Sequence, residues 1–356
     1  MAEKILMKGN EAIAESAIRA GCKMFFGYPI TPQTELAAYM AKKLPKIEGG
    51  VFLQAESEVS AINMVYGAAG AGARVMTSSS SPGISLKQEG ISYIAGADLP
   101  CVIVNIVRGG PGLGGIQPAQ SDYFQATKGG GHGDYHLFVI APSSIQEIVD
   151  LTRHAFDIAD KYRIPAMIMG DGMIGQMMEP VEFPEDGGNT ATVSKPWATT
   201  GTGMKRSRNI INSLFLQPDE LEKIVFERYE RYKQIEKNEV MVECVDVEDA
   251  DIIITAYGTI SRIAKNAKQL LAEKGIKVGI IRPITLWPFP KDAFKKAAEL
   301  KKPILTVEMS MGQMVEDVKL AVDGKTDVHF YGRTGGMVPT PAEIAAEAEK
   351  IVGGAR

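Results

Sequence analysis

Apolar residues in this chain come in short runs, separated by longer stretches of amphipathic or small-residue character. Up to about residue 185 the runs at 24–27, 51–54, 73–76, 101–107 and 166–169 are bounded by Gly, Pro or polar clusters. Such runs predict buried strands. Between them, 9–20, 32–43 and 144–161 carry helical spacing, and a further helix is predicted to begin near Ile84. This alternation predicts a parallel α/β sheet. Residues 183–217 are rich in Gly, Thr, Ser, Asn and Pro and read as a linker. Pro218 then suits the first turn of a strongly charged helix reaching about 239, predicted to be a solvated connector. From Asp251 the alternation resumes. Strands are predicted at 252–257, 277–282 and 304–307, helices at 260–274, 291–300 and 313–322, and Pro341 opens a last helix through Ile351. The fold class is α/β with two parallel-sheet domains, 1–185 and 248–356, joined by a linker and connecting helix over 186–247.

Composition narrows the class. The length of 356 residues fits about two domains. A net charge of −4 gives no electrostatic footprint for nucleic acid. No apolar run approaches the ~20 residues that span a bilayer, and the N-terminus has no signal-peptide core, so a cytoplasmic location is expected and no membrane partner. Cys22, Cys101 and Cys244 lie far apart with no Cys-x-x-Cys, so no chain-internal iron–sulfur cluster is expected. His132 and His136 have the i, i+4 spacing of a helical metal pair, but the glycines between 129 and 133 will not hold a helix, and no metal is expected there.

Four segments stand out chemically. Glu58 follows the run 51–54 and opens a helix built from Ala and Gly, including Ala61, Gly67, Gly70 and Gly72. Glycines there cost roughly 1 kcal/mol each relative to Ala, and their compensation is close approach to a neighbour. Alone, Glu58 also reads as a helix-start acid favoured by the macrodipole. Upstream, Tyr28, Pro29, Ile30, Thr31 and Pro32 form a turn in which two prolines restrain the threonine. Downstream, a serine run ends in Ser81, Pro82 and Gly83, and Arg108 opens a glycine-rich loop to Gly115. All four segments follow an apolar run, and the loops after parallel strands form the ligand crevice of open α/β sheets.

These segments together resemble 2-oxoacid:ferredoxin oxidoreductases, in the alpha-type subunit carrying the thiamine-pyrimidine domain. The carriers are the Tyr-Pro-Ile-Thr-Pro turn, the Glu58–Ala61–Gly67 spacing, the Ser-Pro-Gly loop and the Arg-Gly-Gly-Pro loop. In the C-terminal part, 256–259, 282–289, 307–313 and 332–341 also match, so the resemblance covers nearly the whole chain. Its likeness is greatest to the branched-chain type, acting on 3-methyl-2-oxobutanoate (2-ketoisovalerate). Pyruvate or 2-oxoglutarate as substrate, a ferredoxin-independent thiamine enzyme, and a non-catalytic assembly subunit are the alternatives.

The resemblance implies a thiamine diphosphate-binding fold followed by a transketolase C-terminal-like domain. A 2-oxoacid loses CO2 only if the electrons left behind are taken up, and the thiazolium ring of thiamine accepts them. The aminopyrimidine serves as the base only in its imino form, which a carboxylate on the far ring nitrogen favours. By its motif position Glu58 matches that carboxylate; Glu56 is near, but the spacing to Ala61 and Gly67 favours Glu58. Arg108 and Thr31 match positions contacting the 2-oxoacid. A surface ion pair for Arg108, and a helix cap for Thr31 with Glu35, are the structural alternatives. Tyr28, Pro29, Ile30, Ser81, Pro82 and Gly83 are expected to line the cofactor pocket.

Gly170, Asp171 and Gly172 mimic the start of the thiamine diphosphate–magnesium motif. The next asparagine, Asn189, comes too early, and the segment reads as a strand end and turn. The diphosphate and magnesium are therefore expected on a beta-type partner chain. A gamma-type subunit, an iron–sulfur delta-type subunit, ferredoxin, and coenzyme A as co-substrate complete the implied system. Arg333 and the glycines beside it are left between coenzyme A and a subunit edge.

Overall fold

The computed structural model describes residues 4–184 and 193–354. Asn189 and part of the linker segment lie outside the described residues. In chain order the first half runs β1 (Ile5–Lys8), α1 (Gly9–Arg19), β2 (Met24–Gly27), α2 (Thr34–Lys43), β3 (Val51–Gln54), α3 (Glu58–Gly70), β4 (Val75–Ser79), α4 (Ser81–Gly96), β5 (Cys101–Val107), α5 (Tyr123–Thr127), β6 (Phe138–Ile140), α6 (Ile145–Tyr162), β7 (Pro165–Asp171), α7 (Gly172–Gln176) and β8 (Met178–Val181). The second half runs α8 (Pro218–Asn238), β9 (Val242–Val245), β10 (Ile252–Thr255), α9 (Gly258–Glu273), β11 (Val278–Pro283), β12 (Thr285–Trp287), α10 (Lys291–Glu299), β13 (Ile304–Glu308), α11 (Met314–Val322), β14 (Val328–Gly332) and α12 (Pro341–Gly354).

The larger sheet has the order β12-β6-β7-β5-β4-β2-β3 and the smaller one β14-β13-β10-β11-β9. The chain is thus α/β, as its periodicity predicts. Strands β4, β5 and β10 are buried along their whole length; β5 and β10 read as largely apolar runs for that reason, whereas β4 buries the polar residues Thr77, Ser78 and Ser79. Neither sheet is wholly parallel. Strand β9 runs antiparallel to β11, and β12 runs antiparallel to β6. The second case crosses the chain's two halves, because β12 leaves the smaller sheet and completes the edge of the larger one. A separate antiparallel ribbon, β1 with β8, brings the two ends of the first half together.

Local capping sets several boundaries. Ser144 accepts the Glu147 N–H at 3.1 Å at the start of α6, and Arg163 ends that helix in the left-handed region, φ 53°. Helix α4 begins at Ser81 rather than Ile84, since Pro82 fits the first turn. Helix α8 is solvated over most of its surface, but Arg228, Tyr232 and Ile235 are buried. Tyr232 meets the Trp287 ring edge-on at 5.5 Å, and His136 stacks on Trp287 at 4.5 Å. The connector is therefore a packed strut. His132 instead sits near Ser92, its Nδ1 3.3 Å from the hydroxyl.

The two halves are joined by buried polar groups. Arg282 reaches Glu147 through both Nη atoms (3.0 and 2.7 Å) and Glu243 through Nε (2.6 Å). The Tyr123 hydroxyl donates to Asp317 at 2.5 Å. One apolar core runs from β5 and β7 through Trp287 and Phe294 to Met314, while a second lies between the far face of the smaller sheet and α9 with α12.

Candidate active site

Strands β5, β4, β2 and β3 are neighbours in the larger sheet and mutually parallel. The loops leaving their carboxyl ends therefore meet in one crevice, and these are the four segments singled out from sequence.

Glu58 is the first residue of α3, behind the N-cap Ser57, whose hydroxyl accepts the Ser60 N–H at 3.2 Å. Its side chain is turned inward, and the residue is only 6% exposed. Glu56 is the solvent-side carboxylate. It accepts the Ser60 and Ser57 hydroxyls at 2.6 and 3.0 Å, and these bonds hold its pKa below the usual value. Glu58 packs on the first turn of α4. A Cβ added at Gly83 would lie 2.8 Å from Glu58 Oε1 and 2.1 Å from Ser79 Oγ. Glycine is what lets this helix approach the carboxylate.

Ser81 links this corner to the arginine loop. Its hydroxyl donates to the Arg108 carbonyl at 3.2 Å, and its N–H donates to Asn105 Oδ1 at 3.2 Å. Arg108 is 7% exposed and makes no surface ion pair among the described residues. Its Nη1 donates to the Thr31 carbonyl at 2.9 Å and its Nη2 to the Leu113 carbonyl at 3.2 Å. Its buried Nε has no acceptor among the described residues. The surface-pair alternative fails because the loop folds over the guanidinium and offers it carbonyls only.

Thr31 is not a helix cap. Helix α2 starts at Thr34 behind Gln33, and Glu35 is held instead by Lys8, Asn10 and Gln176. Tyr28 and Pro29 are exposed, Ile30 half-buried and Thr31 exposed, so the turn lines the mouth of the crevice. Fully buried Gln33 ties it down, accepting the Ser78 hydroxyl at 2.5 Å.

Asp171 ends β7 and caps α7. Its Oδ1 accepts the Met173 and Ile174 N–H groups at 2.8 and 3.2 Å, and its Oδ2 accepts the Thr259 hydroxyl at 2.5 Å. Both oxygens are thus engaged within the protein.

Lys87 escaped the reading of the sequence. It is fully buried on α4, and its Nζ donates to Thr77 Oγ1 at 2.7 Å. Burial pushes its pKa down to about 8, against the opposing pull of the Glu58 carboxylate. The signal was a lysine within the stripe Ile84, Ile91 and Ile94, where an apolar residue belongs. Gln120 was missed as well. It is 2% exposed and clamps the arginine loop to the second half, donating through Nε2 to the Tyr257 carbonyl at 3.0 Å and accepting the Met309 N–H at 3.0 Å.

The crevice suits a polar ligand that brings its own partners. Besides Arg108 Nε, the buried Ser79 and Ser80 hydroxyls have no partner among the described residues. An aminopyrimidine fits the inward carboxylate, and a substrate anion fits the spare guanidinium donor.

Comparison with known proteins shows the family. Residues 15–246 match the thiamine diphosphate-binding domain model of pyruvate flavodoxin/ferredoxin oxidoreductase, and residues 250–344 match core domain II of pyruvate:ferredoxin oxidoreductase. The chain is 50% identical to ketoisovalerate oxidoreductase subunit VorB of Methanothermobacter marburgensis, covering 98% of both chains. It is 37% identical to 2-oxoglutarate synthase subunit KorA of Methanothermobacter thermautotrophicus, over 97% of this chain and 98% of that one. Among solved structures, 2-oxoglutarate:ferredoxin oxidoreductase from Magnetococcus marinus superposes with a TM-score of 0.86 at 27% identity. The match covers 99% of this chain but 66% of that longer one. A split-gene transketolase shares the fold at a TM-score of 0.60 and 14% identity. With this crevice, and with both domain models matched in order, the chain belongs to the 2-oxoacid:ferredoxin oxidoreductase family, as a subunit carrying its thiamine diphosphate-binding domain.

Proposed function

We propose that this chain holds the pyrimidine side of thiamine diphosphate and the carboxylate end of a 2-oxoacid in the coenzyme A-dependent oxidative decarboxylation of 3-methyl-2-oxobutanoate. The observation that carries this is the pairing, in one crevice, of the inward carboxylate of Glu58 with the partnerless Nε of Arg108. The ketoisovalerate relative supports the branched substrate.

Thiamine diphosphate, when bound, supplies the electron sink that decarboxylation requires. Glu58, turned inward and 6% exposed, would hold the pyrimidine side of the cofactor and keep a proton shared between its carboxylate and the ring nitrogen. The close approach of α4 at Gly83 holds the Glu58 carboxylate in place. Arg108 Nε–H binds the substrate carboxylate, with the guanidinium plane fixed by the Thr31 and Leu113 carbonyls. The Thr31 hydroxyl, at the mouth, donates to substrate or cofactor. Tyr28, Pro29, Ile30, Ser81 and Pro82 wall the pocket and limit access of water.

The diphosphate and its magnesium belong to a beta-type partner chain, since Asp171 is spent on capping α7 and on Thr259. A gamma-type subunit completes the complex, and a delta-type iron–sulfur subunit passes electrons to ferredoxin, in the cytoplasm. The working division is 1–185 for pyrimidine binding, 186–247 for linker and strut, and 248–356 for the second domain.

The deciding experiment is Glu58→Gln in the complete complex purified without oxygen. Assembly and thiamine diphosphate content are expected to hold, while coenzyme A-dependent viologen reduction falls about a hundredfold or more, the scale of a lost proton-transfer group. Near-normal turnover would remove Glu58 from the chemistry.

A further inference from the structure

Beside the crevice lies a groove of about 460 Å³ that begins at Thr31 and runs between the two halves of the chain. Its walls include Ile116 from the arginine loop, Met173 from α7, and Gly336 and Val338 from the turn after β14. No charged residue lines it. The second half is seated closely here. Gly336 has φ 93°, and a Cβ on it would lie 2.4 Å from the Cβ of Gln117, so only glycine lets the turn meet the arginine loop. The glycines left unassigned beside Arg333 therefore have a place, against the loop that aims Arg108.

We infer that the Thr31 end of this groove receives the aliphatic side chain of the 2-oxoacid, and that Ile116, Met173 and Val338 select branched-chain over dicarboxylic substrates. This rests on the functional reading above. The Thr31 carbonyl binds Nη1 of the guanidinium whose Nε takes the substrate carboxylate, so the Thr31 end of the groove lies beside that arginine, within reach of the substrate's side chain. A distal carboxylate, as in 2-oxoglutarate, would find no cation among the lining residues, only the uncharged amides of Gln117 and Gln176, and so would gain no ion pair there. An isopropyl group gains apolar contact, and one methylene in such a pocket discriminates by about 10–200-fold. The second half is thus part of the specificity site as well as a support for it. The groove is larger than the side chain, and only its Thr31 end is assigned.

The test uses the complete complex carrying Val338→Arg, with Val338→Ala as the milder companion. Steady-state viologen reduction is measured with 3-methyl-2-oxobutanoate, pyruvate and 2-oxoglutarate, and the KM for coenzyme A is measured alongside. In the arginine variant the kcat/KM ratio of the branched acid to 2-oxoglutarate is expected to fall at least about tenfold. In the alanine variant the preference for the branched acid over pyruvate narrows, which decides the matter even if the arginine variant fails to assemble. Ratios that stay put in Val338→Ala would overturn the inference. So would a raised KM for coenzyme A with the 2-oxoacid ratios intact, which would make the groove a pantetheine channel. A wild-type complex active with none of the three acids would instead remove the functional reading itself.

Discussion

Replacing Gly83 by alanine sets two effects of known size against each other. In an ordinary helix the change is favourable by roughly 1 kcal/mol. Here the new Cβ would meet Ser79 Oγ at 2.1 Å and Glu58 Oε1 at 2.8 Å, with Glu58 Cγ at 3.3 Å. The serine hydroxyl can rotate away, because it has no hydrogen bond to lose. The glutamate cannot stay where it is, and overpacking of this kind costs about 1–3 kcal/mol. The net change in stability is therefore a loss of ~0–2 kcal/mol from these two terms. Turnover should suffer more, since displacing a catalytic group by about 1 Å costs on the order of a hundredfold. Urea unfolding of the isolated chain reads the first quantity, and viologen reduction by the assembled complex reads the second. Gly67→Ala is the control, because nothing lies within 4 Å of its Cβ position. It should stabilise the isolated chain by roughly 0.5–1 kcal/mol. A Gly83→Ala complex with full turnover would show that Glu58 is not held by this contact, and the account of the site would fail.

Other outcomes follow from the same geometry. Arg108→Ala should raise the KM for the 2-oxoacid while leaving thiamine diphosphate content intact, and an unchanged specificity constant would count against carboxylate binding. Lys87 should make stability depend on pH. Its pKa falls from 10.5 to about 8 on folding, so between those values the unfolded chain binds more protons and stability rises with pH. The rise from this group is about 3 kcal/mol, at roughly 1.4 kcal/mol per pH unit. It is absent below pH 8, where both states are charged, and complete above 10.5. Lys87→Met should flatten it, as read by urea unfolding at stepped pH, and identical slopes in the two proteins would refute the assignment.

The strands at 24–27 and 101–107 were legible to the residue because each is a bounded, largely apolar run paired on both sides, and 51–54 was legible from its apolar residues alone, although it is the exposed edge strand. So was the convergence of the four loops, which follows from parallel topology alone. Strand β12 was not legible, because Trp287 pairs with Val139, almost 150 positions earlier, and no local pattern encodes that partner. Lys87 was hidden by its own charge, which marks a residue as exposed until a helical stripe contradicts it. The cap reading of Thr31 failed for a similar reason. Local motifs compete with tertiary contacts, and Arg108 claims the Thr31 carbonyl while Gln176 and Asn10 claim Glu35.

The excursion of β12 onto the larger sheet has a bearing on biosynthesis. A nascent chain that has emerged as far as β7 holds all its crevice loops, yet β6 still presents an open row of backbone donors and acceptors. That edge is closed only when Thr285–Trp287 arrives. Until then it is a template for pairing with another chain. The connecting strut is made in the meantime, and its Tyr232 waits for the same Trp287. A gene cut between the two matched domain models would therefore release a first product with an unprotected sheet edge. Such a fragment would be expected to need co-expression with the remainder, or a chaperone, to remain in solution.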